Sequence, residues 1–170
     1  LTAAAPLVEL RRYGVQTITN ALVAFEGRLS GYEMKGTAAL HTSSDQALDM
    51  EFRGSGDRDS IALQQLALTG PDLALNADGR FDLDPVRLVA NLQGVILGEA
   101  VTGTSTFEGE SLTALVGEAH INQGANDLRI VAIPGGLRLH AQIDNPASLV
   151  RDAVGKVTLD GSTNFSDSVY

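Results

Sequence analysis

Cysteine is absent from the 170 residues, which excludes disulfides and thiolate metal sites while leaving the compartment open. Tryptophan is absent too, and there are only five Phe and three Tyr, so a core centred on large rings is not expected. No stretch approaches the ~18 uninterrupted apolar residues of a membrane-spanning helix, so any membrane anchor is expected outside this chain. Leu1–Pro6 lacks the charged and apolar regions of a signal peptide. With Leu rather than Met in first place, the expectation is an internal piece of a longer protein. Basic residues are few, 12 against 21 acidic, for a formal charge of −9. That balance disfavours a nucleic acid partner or passive adhesion to anionic lipid, both of which need clustered Lys and Arg.

Signatures of chemistry are also missing. The histidines His41, His120 and His140 have no second His at a ligand spacing of ~3–5 residues. His140 falls on the polar phase of a strand and is expected to face solvent. Asp57 and Asp59 after Gly54-Ser55-Gly56 lack the ligand order of an EF-hand and read as a solvated turn. There is no nucleophile elbow, P-loop or H-E-x-x-H. Gly54-Ser55-Gly56 and Gly135-Gly136 lack the strand-to-helix context of a phosphate cradle. Asp82, Asp84 and Glu108 fall on polar strand faces, and nothing singles out one acid–base pair among the 21 acids. The expectation is no enzyme, no catalytic residues, no cofactor and no metal.

What the chain has is aliphatic alternation and 18 glycines, a composition suited to a thin, much-bent sheet. From Asp72 to Asp84 the sequence reads DLALNADGRFDLD. Leu73, Leu75, Ala77, Gly79, Phe81 and Leu83 share one face, and Asp72, Asn76, Asp78, Arg80, Asp82 and Asp84 the other, with Ala74 the exception. Pro85 interrupts the ladder, and the pattern resumes with Val86, Leu88, Ala90 and Leu92. Leu128, Ile130 and Ala132 lead through Pro134-Gly135-Gly136 to Leu137, Leu139, Ala141 and Ile143, a predicted hairpin. Val157 and Leu159 alternate with Thr158 and Asp160. Further strands are expected near Leu22–Leu29, Tyr32–His41, Ala47–Arg53, Ile61–Thr69 and Ala100–Glu108. Leu112–Asn122 is expected to be extended, with its phase unassigned. The apolar phase slips at Gln64-Gln65, which predicts a β-bulge. Asn145–Gly155 reads as a helix of one or two turns, with Pro146 at its first position and a terminal Gly. Val15–Ala24 is a second helical candidate, and 1–20 is the least assignable part. Gly27, Gly79, Gly117 and Gly155 open similar tripeptides, the last three evenly spaced, an echo consistent with stacked β units.

Gln123–Thr163 reads QGANDLRIVAIPGGLRLHAQIDNPASLVRDAVGKVTLDGST. Asn-Asp-Leu opens a strand, a turn follows, and an L-x-L-x-A-x-I strand ends in Asp-Asn-Pro. Gly-Lys-Val-x-Leu-x-Gly closes the segment. This resembles the repetitive β region of the TamB family, within the wider AsmA-like envelope proteins. Leu63-Gln64-Gln65-Leu66-Ala67-Leu68 and Gly79–Pro85 add to the likeness, which covers Gly27–Thr163 in style. The resemblance implies a single β-rich fragment over 1–170, all-β, folded as an elongated, curved, antiparallel-rich sheet (a taco or gutter) with an apolar concave interior and at most one or two short helices. It also implies a periplasmic location in an inner-membrane-anchored parent and a partner like TamA, an outer-membrane barrel protein. The implied roles are outer-membrane protein and autotransporter assembly, and phospholipid movement between the membranes.

Alternation alone favours a closed core, as in a β-sandwich; the resemblance favours an uncovered groove. Its expected lining is Leu73, Leu75, Phe81, Leu83, Val86, Leu88, Leu92, Leu128, Ile130, Leu137, Leu139, Ile143, Val157 and Leu159. Its expected occupants are phospholipid acyl chains or unfolded outer-membrane protein strands, the latter held by β-augmentation. A filled β-solenoid is the remaining alternative, though it calls for repeats of ~20–30 residues.

Overall fold

The computed structural model describes residues 2–8, 15–42, 47–111, 114–149 and 152–164. They form twelve strands: β1 Thr2–Val8, β2 Val15–Arg28, β3 Gly31–Thr42, β4 Ala47–Gly56, β5 Ser60–Gly70, β6 Leu73–Leu83, β7 Val86–Ile96, β8 Glu99–Gly109, β9 Val116–Gln123, β10 Asn126–Ile133, β11 Gly136–Ile143 and β12 Val157–Asn164. All twelve make one sheet whose spatial order is the chain order, each strand antiparallel to the next. The sheet is open, with β1 and β12 at its two edges. Such a meander arises where period-two segments are joined mostly by tight turns too short to cross over; β11 and β12, joined by the longer segment 144–156, pair antiparallel as well.

The turns follow from local chemistry. Leu97 and Gly98 both take left-handed φ, 50° and 83°, the geometry that matches the twist of a two-residue hairpin. Pro134-Gly135 links β10 to β11, with Gly135 at φ 75° and Ile133 facing Gly136, as the sequence predicts. The Asp57 turn is closed by its own side chain. Oδ1 accepts the N–H groups of Asp59 at 2.9 Å and Ser60 at 2.8 Å. This carboxylate is therefore committed to the turn itself, which matches the reading of Asp57 and Asp59 as a solvated loop. The Asp84–Pro85 peptide bond is cis.

The bulge expected at Gln64-Gln65 is present. Leu63 faces Gly79 and Leu66 faces Ala77, while on the other side Gly54 faces Leu63 and Arg53 faces Gln65. Gln64 is thus the extra residue, and the slip keeps Leu63 and Leu66 on one face.

Three expectations are corrected. Val15–Ala24 is not helical but belongs to β2; its Val, Ile and Thr residues favour a strand, and pairing with both β1 and β3 decides the matter. In Asn145–Gly155 the only helical element among the described residues is a 3-10 turn, Pro146–Ser148. The Asn145 side chain makes no cap hydrogen bond there, and 150–151 lie outside the described residues. Nor do the echoing glycines occupy equivalent places. Gly79 lies within β6, Gly117 is the second residue of β9 and Gly155 precedes β12, so they do not mark a structural repeat. Leu112 and Thr113 lie outside the described residues, and the strand expected there begins at Val116.

Every substantial packing partner of a strand is its sequence neighbour. No second layer covers either face among the described residues, so the closed sandwich suggested by alternation alone is not formed. Burial nevertheless divides by face. Val86, Val101, Ala132 and Ala141, all on the apolar face, are buried, while the opposite face of β6 and β7 is mostly exposed. A single layer buries one face only when that face curves inward and its side chains lean over one another. Gly36 shows the packing: a Cβ there would come within 2.4 Å of the Phe52 ring, so the ring occupies the space above a neighbour with no side chain.

Candidate functional site

From β6 to β12 the register runs without a slip. A row on one strand therefore continues across the next six, and every residue expected to line a groove falls on one face. Phe81, Leu88 and Phe107 are register partners, followed by Gly117, Ala132 and Leu137. Two residues along, Gly79, Ala90, Ser105 and Ala119 face one another in turn, followed by Ile130, Leu139 and Gly161. The next row is Ala77, Leu92, Gly103, Ile121, Leu128, Ala141 and Leu159. Beyond it Leu75 and Gly94 lead to Val101, Gln123, Asn126, Ile143 and Val157. Leu73 pairs with Ile96 at one margin of the sheet and Leu83 with Val86 at the other.

The rows differ in size in a way that shapes the surface. Gly79, Ala90, Ser105 and Ala119 are four small residues on consecutive strands, flanked by Phe81, Leu88 and Phe107 on one side and by Leu92 and Ile121 on the other. At ~4.8 Å between strands, this furrow runs about 15 Å across the sheet, perpendicular to the strands. Its floor includes β8 and β9 positions that sequence reading left out, because β8 is rich in Thr and β9 had no assigned phase. The signal was available in β8, where Val101, Gly103, Ser105 and Phe107 alternate with Thr102, Thr104 and Thr106.

The margins are unlike. At the margin of the β6–β7 turn, Leu83 is 50% exposed and Ile61 on β5 is 39% exposed. At the β12 edge, Val157 and Leu159 are about half exposed, against 8% for Ala141 beside Leu159 on β11. The opposite margin, over β8–β10, is closed by a polar cluster. Gln123 and Asn126 occupy apolar-face positions yet are 4% and 6% exposed. Gln123 donates from Nε2 to the carbonyls of Ile96 at 3.1 Å and Ser148 at 2.6 Å. Asn126 donates from Nδ2 to the Asn145 carbonyl at 3.0 Å and to Ser148 Oγ at 2.7 Å, and accepts the Asn145 N–H at 2.8 Å. Two amides in phase with Ile121 and Leu128 were the overlooked signal for this cluster.

The other face carries charge in cross-strand pairs. Arg129 faces His120 on β9 and His140 on β11. Its guanidinium donates to Glu118, from Nε at 3.0 Å, and His120 Nε2 contacts Asp127. His140 Nδ1 lies 2.7 Å from Asp160 Oδ1. His140 is exposed, as expected, and paired. Arg129, Arg138, His140 and Asp160 line a shallow open depression there, and Asp57, Arg80, Asp82 and Arg87 line another. Exposed pairs of this kind contribute little to stability. The N–H groups of Asp59 and Ser60 hold the Asp57 carboxyl below the ordinary carboxylate range.

Among the described residues no three His, Asp or Glu side chains gather as a metal site, and no helix is long and apolar enough to cross a membrane. No family model matches the chain, and no curated protein or solved structure matches it.

Proposed function

We propose that the apolar face is a lipid-contacting wall, a segment of a TamB-like groove that passes phospholipid acyl chains between the inner and outer membranes. The observation that carries this reading is a mainly aliphatic face, in register over seven strands, with no second layer above it among the described residues beyond the turn at the Gln123–Asn126 margin. Hydrocarbon left in water costs about 0.8 kcal/mol per CH₂, so an uncovered face of this kind favours an apolar occupant. Aliphatic walls without fixed polar contacts offer a chain neither a trap nor a barrier, as a conduit requires. On this reading the protein works in the periplasm, its anchor lies elsewhere in the parent, and a TamA-like barrel protein is its outer-membrane partner. Neither an enzymatic step nor a cofactor enters it.

A photo-crosslinking residue in place of Leu88 tests the reading in phospholipid vesicles. Lipid adducts are expected, and Ala90→Arg should reduce them roughly tenfold by placing a charge in the furrow. Asn91→Arg, on the charged face, should leave them unchanged. Absence of lipid adducts at position 88 overturns the reading.

A second reading is favoured by the exposed Val157 and Leu159 on edge strand β12. An unfolded outer-membrane strand added to that edge would complete both the hydrogen-bond ladder and the apolar face. It predicts that a crosslinker at Leu159 captures extended protein segments, whatever happens at position 88.

A further inference from the structure

We propose that Asn145–Ser148 is a releasable strap, which closes one margin of the apolar face in the resting state and opens to widen it. Its suggested purpose, admitting bulkier apolar cargo, rests on the lipid reading above; the closure itself rests on geometry.

After β11 the chain folds back over the apolar face. Pro146–Ser148 makes one 3-10 turn, with Ser148 N donating to Asn145 O at 3.2 Å and Leu149 N to Pro146 O at 3.0 Å. Two side chains from the β9–β10 hairpin hold it. Asn126 grips both ends of the turn, through the Asn145 backbone and Ser148 Oγ, and Gln123 holds the Ser148 carbonyl. Gln123 also reaches across β8 to the Ile96 carbonyl on β7. Its partner in register on β8 is Val101, the most buried apolar residue described, at 2% exposure. Val101 is buried more deeply than Val86, Ala132 or Ala141 on the same curved face, and the Gln123 amide, bonded to Ile96 on one side and to the strap on the other, spans the strand that carries it.

The bonding is polar where the surrounding face is aliphatic. An apolar turn packed on Val101 and Ile143 would hold by contact alone. Here the amides of Gln123 and Asn126 and the hydroxyl of Ser148 satisfy one another, and no buried polar side-chain atom among the described residues lacks a partner. Such a network fixes one arrangement closely, yet water can satisfy each member once it parts. Release therefore leaves no orphaned group, and the strap has two tolerable states. The strands beneath keep their own ladders in both.

Because the chain has no cysteine, Val101→Cys places one thiol on the strand that the Gln123 amide spans. Its labelling rate by a small maleimide reports opening without any ligand. The thiol is expected to label slowly in the otherwise native protein, and roughly tenfold faster or more when Asn126→Ala or Ser148→Ala is added. Amide exchange of β10 and β11 should stay protected in both variants, which separates release from unfolding. Ser148→Ala leaves every strand residue intact, so it decides the matter if Asn126→Ala fails to fold. Rapid labelling with the strap residues intact overturns the proposal, as does slow labelling when Ser148→Ala is present. Phosphatidylcholine vesicles should accelerate labelling of the native strap. If the Ala variants accelerate it but vesicles do not, the strap stands and the lipid reading loses its support.

Discussion

At Gly94 a side chain has no room. A Cβ there would lie 2.0 Å from the Ala74 carbonyl oxygen and 2.8 Å from Leu75 Cα, both on the backbone of β6. Gly94→Ala must push β6 and β7 apart, and it is expected to lower stability by about 3 kcal/mol in a urea titration. Gly31 meets nothing within 4 Å, so Gly31→Ala should stay within about 0.5 kcal/mol of the native value. Asp57 gives a pH-dependent counterpart. Its folded carboxyl titrates below the ordinary range because Asp59 and Ser60 donate to it. Its contribution is therefore present above the unfolded carboxyl's pKa and is lost as pH falls through the depressed folded value. Asp57→Asn removes that contribution, so it should lower the melting temperature slightly at neutral pH and flatten its decline once pH falls below the ordinary carboxylate range. Individual apolar positions were legible because alternation assigns each to a face. The polar residues inside that face were not, since Gln123 and Asn126 look like turn residues until the 3-10 turn brings partners more than 18 positions away.

Strand β5 shows what alternation decides for a whole element. Gln64 is the residue without a register partner on either neighbouring strand. Deleting it would leave Ile61, Leu63, Leu66 and Leu68 in strict alternation, so the deletion is expected to be tolerated. Deleting Ala67 instead moves Leu68 to the charged face and should cost about 2 kcal/mol, on the order of one leucine's burial. Circular dichroism with urea titration distinguishes the two. The bulge was readable from sequence because two amides interrupt an otherwise regular apolar phase. The second part of β2 was read as a strand near Leu22–Leu29, but its first part was not, since apolar spacing in Val15–Ala24 fits a helix as well as a strand, and pairing on both sides settled it. Likewise Pro146 correctly marks the start of a helical turn, but the polar grip on Ser148 confines it to three residues.

Across the whole molecule, strand order in space repeats strand order along the chain. None of the twelve described strands waits for a distant partner, so assembly of the sheet proceeds through neighbouring strands, and its stability is a chain of nearest-neighbour terms. An architecture of this kind has adjustable length. Excising β6 and β7 together would bring β5 beside β8, still antiparallel, and the remaining hairpins would need no rethreading. Removing β7 alone would set β6 parallel to β8 with no crossover to join them. Growth or shrinkage in units of two strands is thus the natural way for such a sheet to change its span, at about 10 Å per unit.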